Sequence, residues 1–269
     1  MRALIPLIAA LALTGCAAPS LDLTPAGDAP TKAIVAGVPI IKQADFYCGP
    51  AALAMTLQWT GQDVSQDQIA ALAFTPEASG TFQQDMISAV RRRGALAVPL
   101  SGFANLTAEL AAGHPVIVFQ NLGESLLPIW HYGVVTGYDL ERKTVTLHSG
   151  QLSRTVMTLE KFERTWAGGD GWALLVLAPG NLPASASERA VLNASAGLER
   201  AGQSTAAVAA YRAGAARWPQ NWLWQFGLGN ALFATGDSEA ARQAFQRAVL
   251  LDPSAPEPRQ NLAALDAAG

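Results

Sequence analysis

Cysteine and histidine are scarce in this sequence. Its 269 residues include two cysteines and three histidines. One cysteine stands in the run Gln43-Ala44-Asp45-Phe46-Tyr47-Cys48-Gly49-Pro50, directly ahead of an almost wholly apolar stretch over residues 51–59. Pro50 suits a first helical turn, where its missing N–H is not needed and its φ is already helical. Cys48 is therefore expected at the positive end of a buried helix, a setting that lowers a thiol pKa and favours the nucleophilic thiolate. The amide of Gln43, five residues earlier, can donate to an oxyanion developing near the sulfur. A lone cysteine is more often a small core hydrophobe, so the chemistry depends on a base.

A cysteine nucleophile needs an imidazole within hydrogen-bond reach and a third group to hold that imidazole. His114 lies in a Gly113-His114-Pro115 turn. His131 opens the strand-like run His131-Tyr132-Gly133-Val134-Val135-Thr136-Gly137-Tyr138, and Gly133, on the same strand face, leaves room against a neighbouring helix. That makes His131 the better base. Asp139 is the obvious acid, but eight residues along one strand at ~3.3 Å each put it roughly 26 Å from His131. The hairpin around Asp139-Leu140-Glu141-Arg142 instead returns residues 148–151 to the side of His131. His148 is then the expected orienting group, with Gln151 or Ser149 next. A neutral imidazole can hold the tautomer of its partner, although it stabilises an imidazolium less well than a carboxylate does.

These residues need elements to carry them. Capping boxes at Ser65-Gln66-Asp67-Gln68 and Thr81-Phe82-Gln83-Gln84 predict helix starts. Strand-like runs follow at 115–119, 131–138, 144–147 and 172–177, with a short helix over 159–166. Helices first and antiparallel strands after define an α+β layout, placed at residues 33–178. Residues 179–187 read as a linker, and 188–269 as all-α. In that last part Ala207, Tyr211 and Pro219 recur 34 residues later as Ala241, Phe245 and Pro253. This spacing resembles the tetratricopeptide repeat. It implies two units, at about 188–221 and 222–255, and a capping helix. The first unit departs from the pattern at Ser195 and Gly214, where Gly and Ala are usual. Two units are fewer than the three needed for independent stability, so the array is expected to pack on the preceding domain or on a partner.

Residues 1–15 read as an export signal, with Arg2 ahead of an apolar run too short to span a membrane. The run ends in Leu13-Thr14-Gly15-Cys16, which resembles the bacterial lipoprotein signal. The resemblance implies lipid on Cys16, and Ala17 in the next position points to the outer membrane, with the body in the periplasm. Cys48 then has no partner in an oxidising compartment, which suggests a reactive thiol. Residues 16–32, rich in Pro, Ala, Asp and Thr, read as a flexible tether. A net charge of −3 and no basic run longer than Arg91-Arg92-Arg93 argue against nucleic acid as a partner. No metal-ligand cluster, phosphate-binding Gly loop or dinucleotide fingerprint is present, so no cofactor is expected.

Gln43, the Asp45-Phe46-Tyr47-Cys48-Gly49-Pro50-Ala51 run and the strand from His131 to Tyr138 together resemble the papain-like peptidase family that includes the bacteriocin-leader-processing domains of export transporters. The resemblance covers about residues 38–177. It implies a papain-like fold, Cys48 as nucleophile, His131 as base and Gln43 in the oxyanion hole. The family's third residue is usually an Asp after the second hairpin strand, often followed by Pro, and here that place reads Leu147-His148-Ser149-Gly150. The implied activity is hydrolysis of a peptide or protein substrate, with the repeats recruiting a protein partner and Cys16 holding the chain at a membrane. The alternative is a non-catalytic adaptor on a worn peptidase fold.

Overall fold

The computed structural model describes residues 20–150 and 152–268. Within them, seven strands form one antiparallel sheet: β1 (Lys32–Ile34), β2 (Leu96–Ser101), β3 (Val116–Asn121), β4 (Trp130–Asp139), β5 (Thr144–Ser149), β6 (Leu152–Thr158) and β7 (Trp172–Leu177). The order is β2-β7-β3-β4-β5-β6. β3 pairs with β4 from Trp130 to Val135, and β1 takes over from Gly137 to Asp139.

Both sheet faces are covered. Along β4 every residue from His131 to Tyr138 is buried, and the strand's period of two divides them between two cores. Tyr132 and Val134 pack with Ile117 and Leu174 beneath α1 (Cys48–Trp59), α2 (Gln66–Ala73) and α3 (Gln83–Arg92). Val135 packs with Val116, Val118 and Leu147 beneath α4 (Phe103–Ala111) and α5 (Leu159–Ala167). α1 is buried without interruption from Gly49 to Leu57. Its one interior hydroxyl, Thr56, donates back to the carbonyls of Ala52 and Leu53.

The capping box at Ser65 and Gln68 forms in both directions. The one expected at Thr81 does not: α3 starts after Phe82, and Thr81 Oγ1 is buried without a hydrogen-bond partner. Composition also misleads for the tether. Residues 20–31 are docked along the second core rather than loose. Leu21 and Leu23 pack against that core, Leu21 N–H donates to Glu163 Oε1 at 2.9 Å, and the Pro30 carbonyl accepts from the Tyr138 hydroxyl at 2.8 Å. Two leucines supply enough apolar contact to fix a segment whose remaining residues favour coil. Residues 1–19 lie outside the described residues, and with them the export signal and Cys16.

The C-terminal part is five helices, α6 (Glu188–Arg200), α7 (Ser204–Arg217), α8 (Trp222–Ala234), α9 (Ser238–Leu251) and α10 (Pro256–Ala268). Val191, Ala194 and Leu198 of α6 join the same hydrophobic core as Leu96 of β2. The array thus shares a core with the sheet domain. The connecting segment is anchored as well: Ser185 donates to buried Glu109 through both its N–H and its hydroxyl, each at 2.7 Å. Among the described residues no helix is long and apolar enough to cross a membrane.

Candidate active site

Cys48 is the first residue of α1. The turn that delivers it runs through Phe46 at φ +65°, a left-handed conformation costly for a bulky residue. Tyr47 is pinned by its ring contact with Phe74 at 5.1 Å. This turn brings the sulfur to the backbone N–H of Tyr132 on β4. Burial pushes the Cys48 thiol up, and the backbone N–H groups of Tyr132, Gly49 and Cys48 offset this only in part. The expected lowering of the thiol pKa is therefore overturned. The helix end favours the thiolate, but withdrawal from water costs that charge more.

His131 lies near the start of β4 and is 8 % exposed. Burial pushes its pKa down to about 4, so at neutral pH it is an uncharged imidazole able to accept a proton. Its Nε2 is 2.8 Å from Ser149 Oγ at the end of β5, so Nδ1 is the ring nitrogen outside that contact. At neutral pH Cys48 thus rests as a thiol and His131 as a neutral imidazole.

His148 does not hold His131. It pairs with Val134, so it belongs to the opposite sheet face from His131, and a shift of one residue along a strand always changes the face. Its Nδ1 is buried without a partner. Burial lowers its pKa, the Pro39 backbone opposes this, and Arg154 adds to the lowering. The side chain that touches His131 Nε2 is instead Ser149, and Gln151 lies outside the described residues. Counting faces from the hairpin register would have selected Ser149 in advance. Gln120, the cross-strand neighbour of His131, carries no sequence signal of its own.

Gln43, Cys48 and His131 line one cleft of about 600 Å³. Its walls are aromatic. Phe119 stacks on Trp130 at 5.2 Å and meets Tyr132 at 4.7 Å, while the Tyr132 hydroxyl donates to the Thr81 carbonyl at 3.0 Å. Phe46 and Phe82 stand exposed at the rim. The arrangement places a sulfur, an imidazole, an amide side chain and an apolar channel together, which suits nucleophilic attack on an acyl carbon.

An antiparallel sheet with a cysteine-bearing helix packed against its histidine strand, followed by helical repeats, marks the class as a peptidase-like fold joined to a repeat array. Residues 35–170 match the Peptidase_C39 like family, and residues 197–256 match the tetratricopeptide repeat. The chain belongs to the Peptidase_C39 like family. Two uncharacterised proteins, of Methanothermobacter thermautotrophicus and Methanothermobacter marburgensis, are each 32% identical to it, over 129 and 130 residues. The alignments cover 48% of this chain and 82% and 83% of those proteins. Among solved structures, a C39-like peptidase from Bacillus anthracis aligns with 54% of this chain and 97% of its own, at 21% identity and a TM-score of 0.46. The peptidase domain of Streptococcus ComA, a bi-functional ABC transporter, aligns with 52% of this chain and 98% of its own, at 23% identity and a TM-score of 0.43.

Proposed function

We propose that the protein is a cysteine peptidase, anchored through lipidated Cys16 to the outer membrane and facing the periplasm, whose repeats recruit a protein partner. The observation that carries the catalytic part is the convergence of Gln43, Cys48 and His131 on one cleft. As the sulfur attacks a peptide carbonyl, the thiol proton passes to His131 Nδ1. A C–S bond forms, and the oxyanion is held by the Gln43 amide and the Cys48 backbone N–H. The imidazolium then protonates the leaving amine as the C–N bond breaks. Water, deprotonated by His131, hydrolyses the thioester and restores the thiol. The aromatic channel favours an extended peptide with apolar side chains.

A thiol-directed peptidase probe tests this in the full chain. Wild type is expected to label, and Cys48→Ala and His131→Ala to lose labelling. Labelling that survives Cys48→Ala overturns the reading.

A second reading, an anchored adaptor without hydrolysis, is favoured by two features. A hydroxyl stands where the family usually has a carboxylate, and the thiol pKa is raised. The two readings separate on peptide libraries: C-terminal trimming or internal cleavage that disappears in Cys48→Ala supports the enzyme, and binding without cleavage supports the adaptor.

A further inference from the structure

Gln120 is a fully buried amide one strand away from the candidate base. It is directly opposite His131 in the β3–β4 pairing, and residues so paired share a face with their Cβ atoms about 5 Å apart. Its Nε2 donates to Thr165 Oγ1 of α5 at 2.7 Å. The Thr165 proton is already committed to the helix carbonyls of Lys161 and Phe162, at 3.0 and 3.1 Å. Thr165 therefore accepts from Gln120, and this fixes the amide with its oxygen turned the other way. That oxygen, Oε1, is buried without any partner. It lies over Gly133, where an added Cβ would be 3.6 Å from it. Gly133 is two residues from His131 on the same face, and Ser149 flanks that face from β5. The absence of a side chain at Gly133 leaves the space beside Gln120 Oε1 open, on the face where Ser149 Oγ meets His131 Nε2.

An orphaned buried acceptor is costly, and here it has a use. For His131 to take a proton from Cys48, Nδ1 must be bare and Nε2 must carry the hydrogen. Nε2–H then donates to Ser149 Oγ, and the Ser149 hydroxyl needs an acceptor elsewhere. If the hydroxyl has none, it donates to Nε2 instead, and the ring is left as the Nδ1–H tautomer, which cannot act as base.

We propose that Gln120 is a positioning residue for the candidate active site: its Oε1 accepts from the Ser149 hydroxyl and so selects the proton-accepting tautomer of His131. This rests on the reading of His131 as base. Oε1 has no partner in this structure, so the bond closes by a small shift of the Gln120 amide toward Ser149 Oγ, which stays on His131 Nε2. The relay replaces a carboxylate with two neutral dipoles. The titratable groups around the ring are Cys48 on α1, Tyr132 on β4 and His148 on the opposite face of β5. Asp85 on α3 acts on Tyr132.

Nitrogen-15 NMR of the histidine rings in the full chain tests the proposal without any substrate, with His131→Gln used to assign the signal. Wild type is expected to show the Nε2–H tautomer at His131. Gln120→Met is expected to move most of the population to Nδ1–H and to slow Cys48 alkylation at neutral pH by roughly tenfold. Gln120→Glu keeps an acceptor in place, so it should retain the Nε2–H form and raise the imidazole pKa by a unit or more. Should Gln120→Met not fold, Gln120→Glu alone decides. An unchanged tautomer and pKa in the folded variants overturns the assignment. A ring that responds in a protein that cleaves no peptide leaves the positioning role standing and removes only the peptidase reading.

Discussion

Ser149 Oγ holds His131 Nε2 at 2.8 Å, and it does so from the end of β5, one residue beyond His148 and on His131's face. A carboxylate at that position would pair with the imidazolium and favour its charged form by about 1–3 pKa units. Ser149→Asp is therefore expected to raise the His131 pKa from its depressed value and to speed Cys48 alkylation at pH 7 roughly tenfold. Ser149→Ala should slow it. His148→Asp, on the other face, should bring no gain and should destabilise the fold by burying an unpaired charge. Alkylation rates and ring NMR on the three variants check this, and a faster His148→Asp would refute the face assignment.

The depressed pKa of His131 also predicts a stability profile. In the unfolded chain the imidazole titrates near ~6.5, and in the fold near about 4. A lowered folded pKa means the stability is fully present above ~6.5. As pH falls, the unfolded chain binds the proton first and stability drops until about pH 4, by on the order of 3 kcal/mol. His131→Gln should flatten that part of the curve. Urea denaturation of both proteins between pH 7 and pH 4 measures the difference, and parallel curves would mean that His131 is protonated as easily in the fold as in water.

The sequence carried the site's chemistry further than its geometry. Cys48, Gln43 and His131 were legible because a Pro in the first helical turn, an apolar run behind it and a β-branched strand are local signals. The role of Ser149 was legible only through register, since His148 and Ser149 differ by one residue and the strand period turns that into opposite faces. The raised thiol pKa follows from how deeply α1 sits on the sheet, a tertiary quantity with no local signature. The docking of residues 20–31 depends on two leucines meeting a core built from distant elements. The departures in the first repeat also have tertiary reasons. Ser195 is buried and returns its hydroxyl to the Val191 carbonyl at 3.0 Å, so a hydroxyl is accommodated where Gly is usual.

Glu109 joins α4 to the segment before the repeats. Burial raises its pKa, but hydrogen bonds from His114, then Ser185 and the Ala184 backbone, outweigh this and leave it lowered. His114 Nδ1 lies 2.7 Å away, and the carboxylate is fully buried. Glu109→Ala strands the Ser185 N–H and a histidine partner, at a cost of about 3 kcal/mol. The expected outcome is a lower unfolding midpoint together with faster limited proteolysis within residues 179–187. A midpoint unchanged from wild type would show that the shared core alone holds the array in place.

Gly214 supplies the sharpest test of packing between the repeats. It occupies a place where Ala is usual, and an added Cβ would sit 2.1 Å from Trp224 Cε3. The ring cannot swing aside, because Trp224 is fully buried, stacks on Trp218 at 5.2 Å and donates Nε1–H to Glu188 Oε1 at 2.8 Å. Gly214→Ala gains up to about 1 kcal/mol of helix propensity and should lose more, about 1–3 kcal/mol, to overpacking. The net expectation is a midpoint lowered by a few degrees. In a Trp224→Leu background the same change should become neutral or stabilising, because the obstructing ring is gone. Thermal denaturation of the two single variants and the double variant measures this coupling. A raised midpoint for Gly214→Ala in the wild-type background would mean that α7 and α8 can part at little cost, and that Trp224 does not set their spacing.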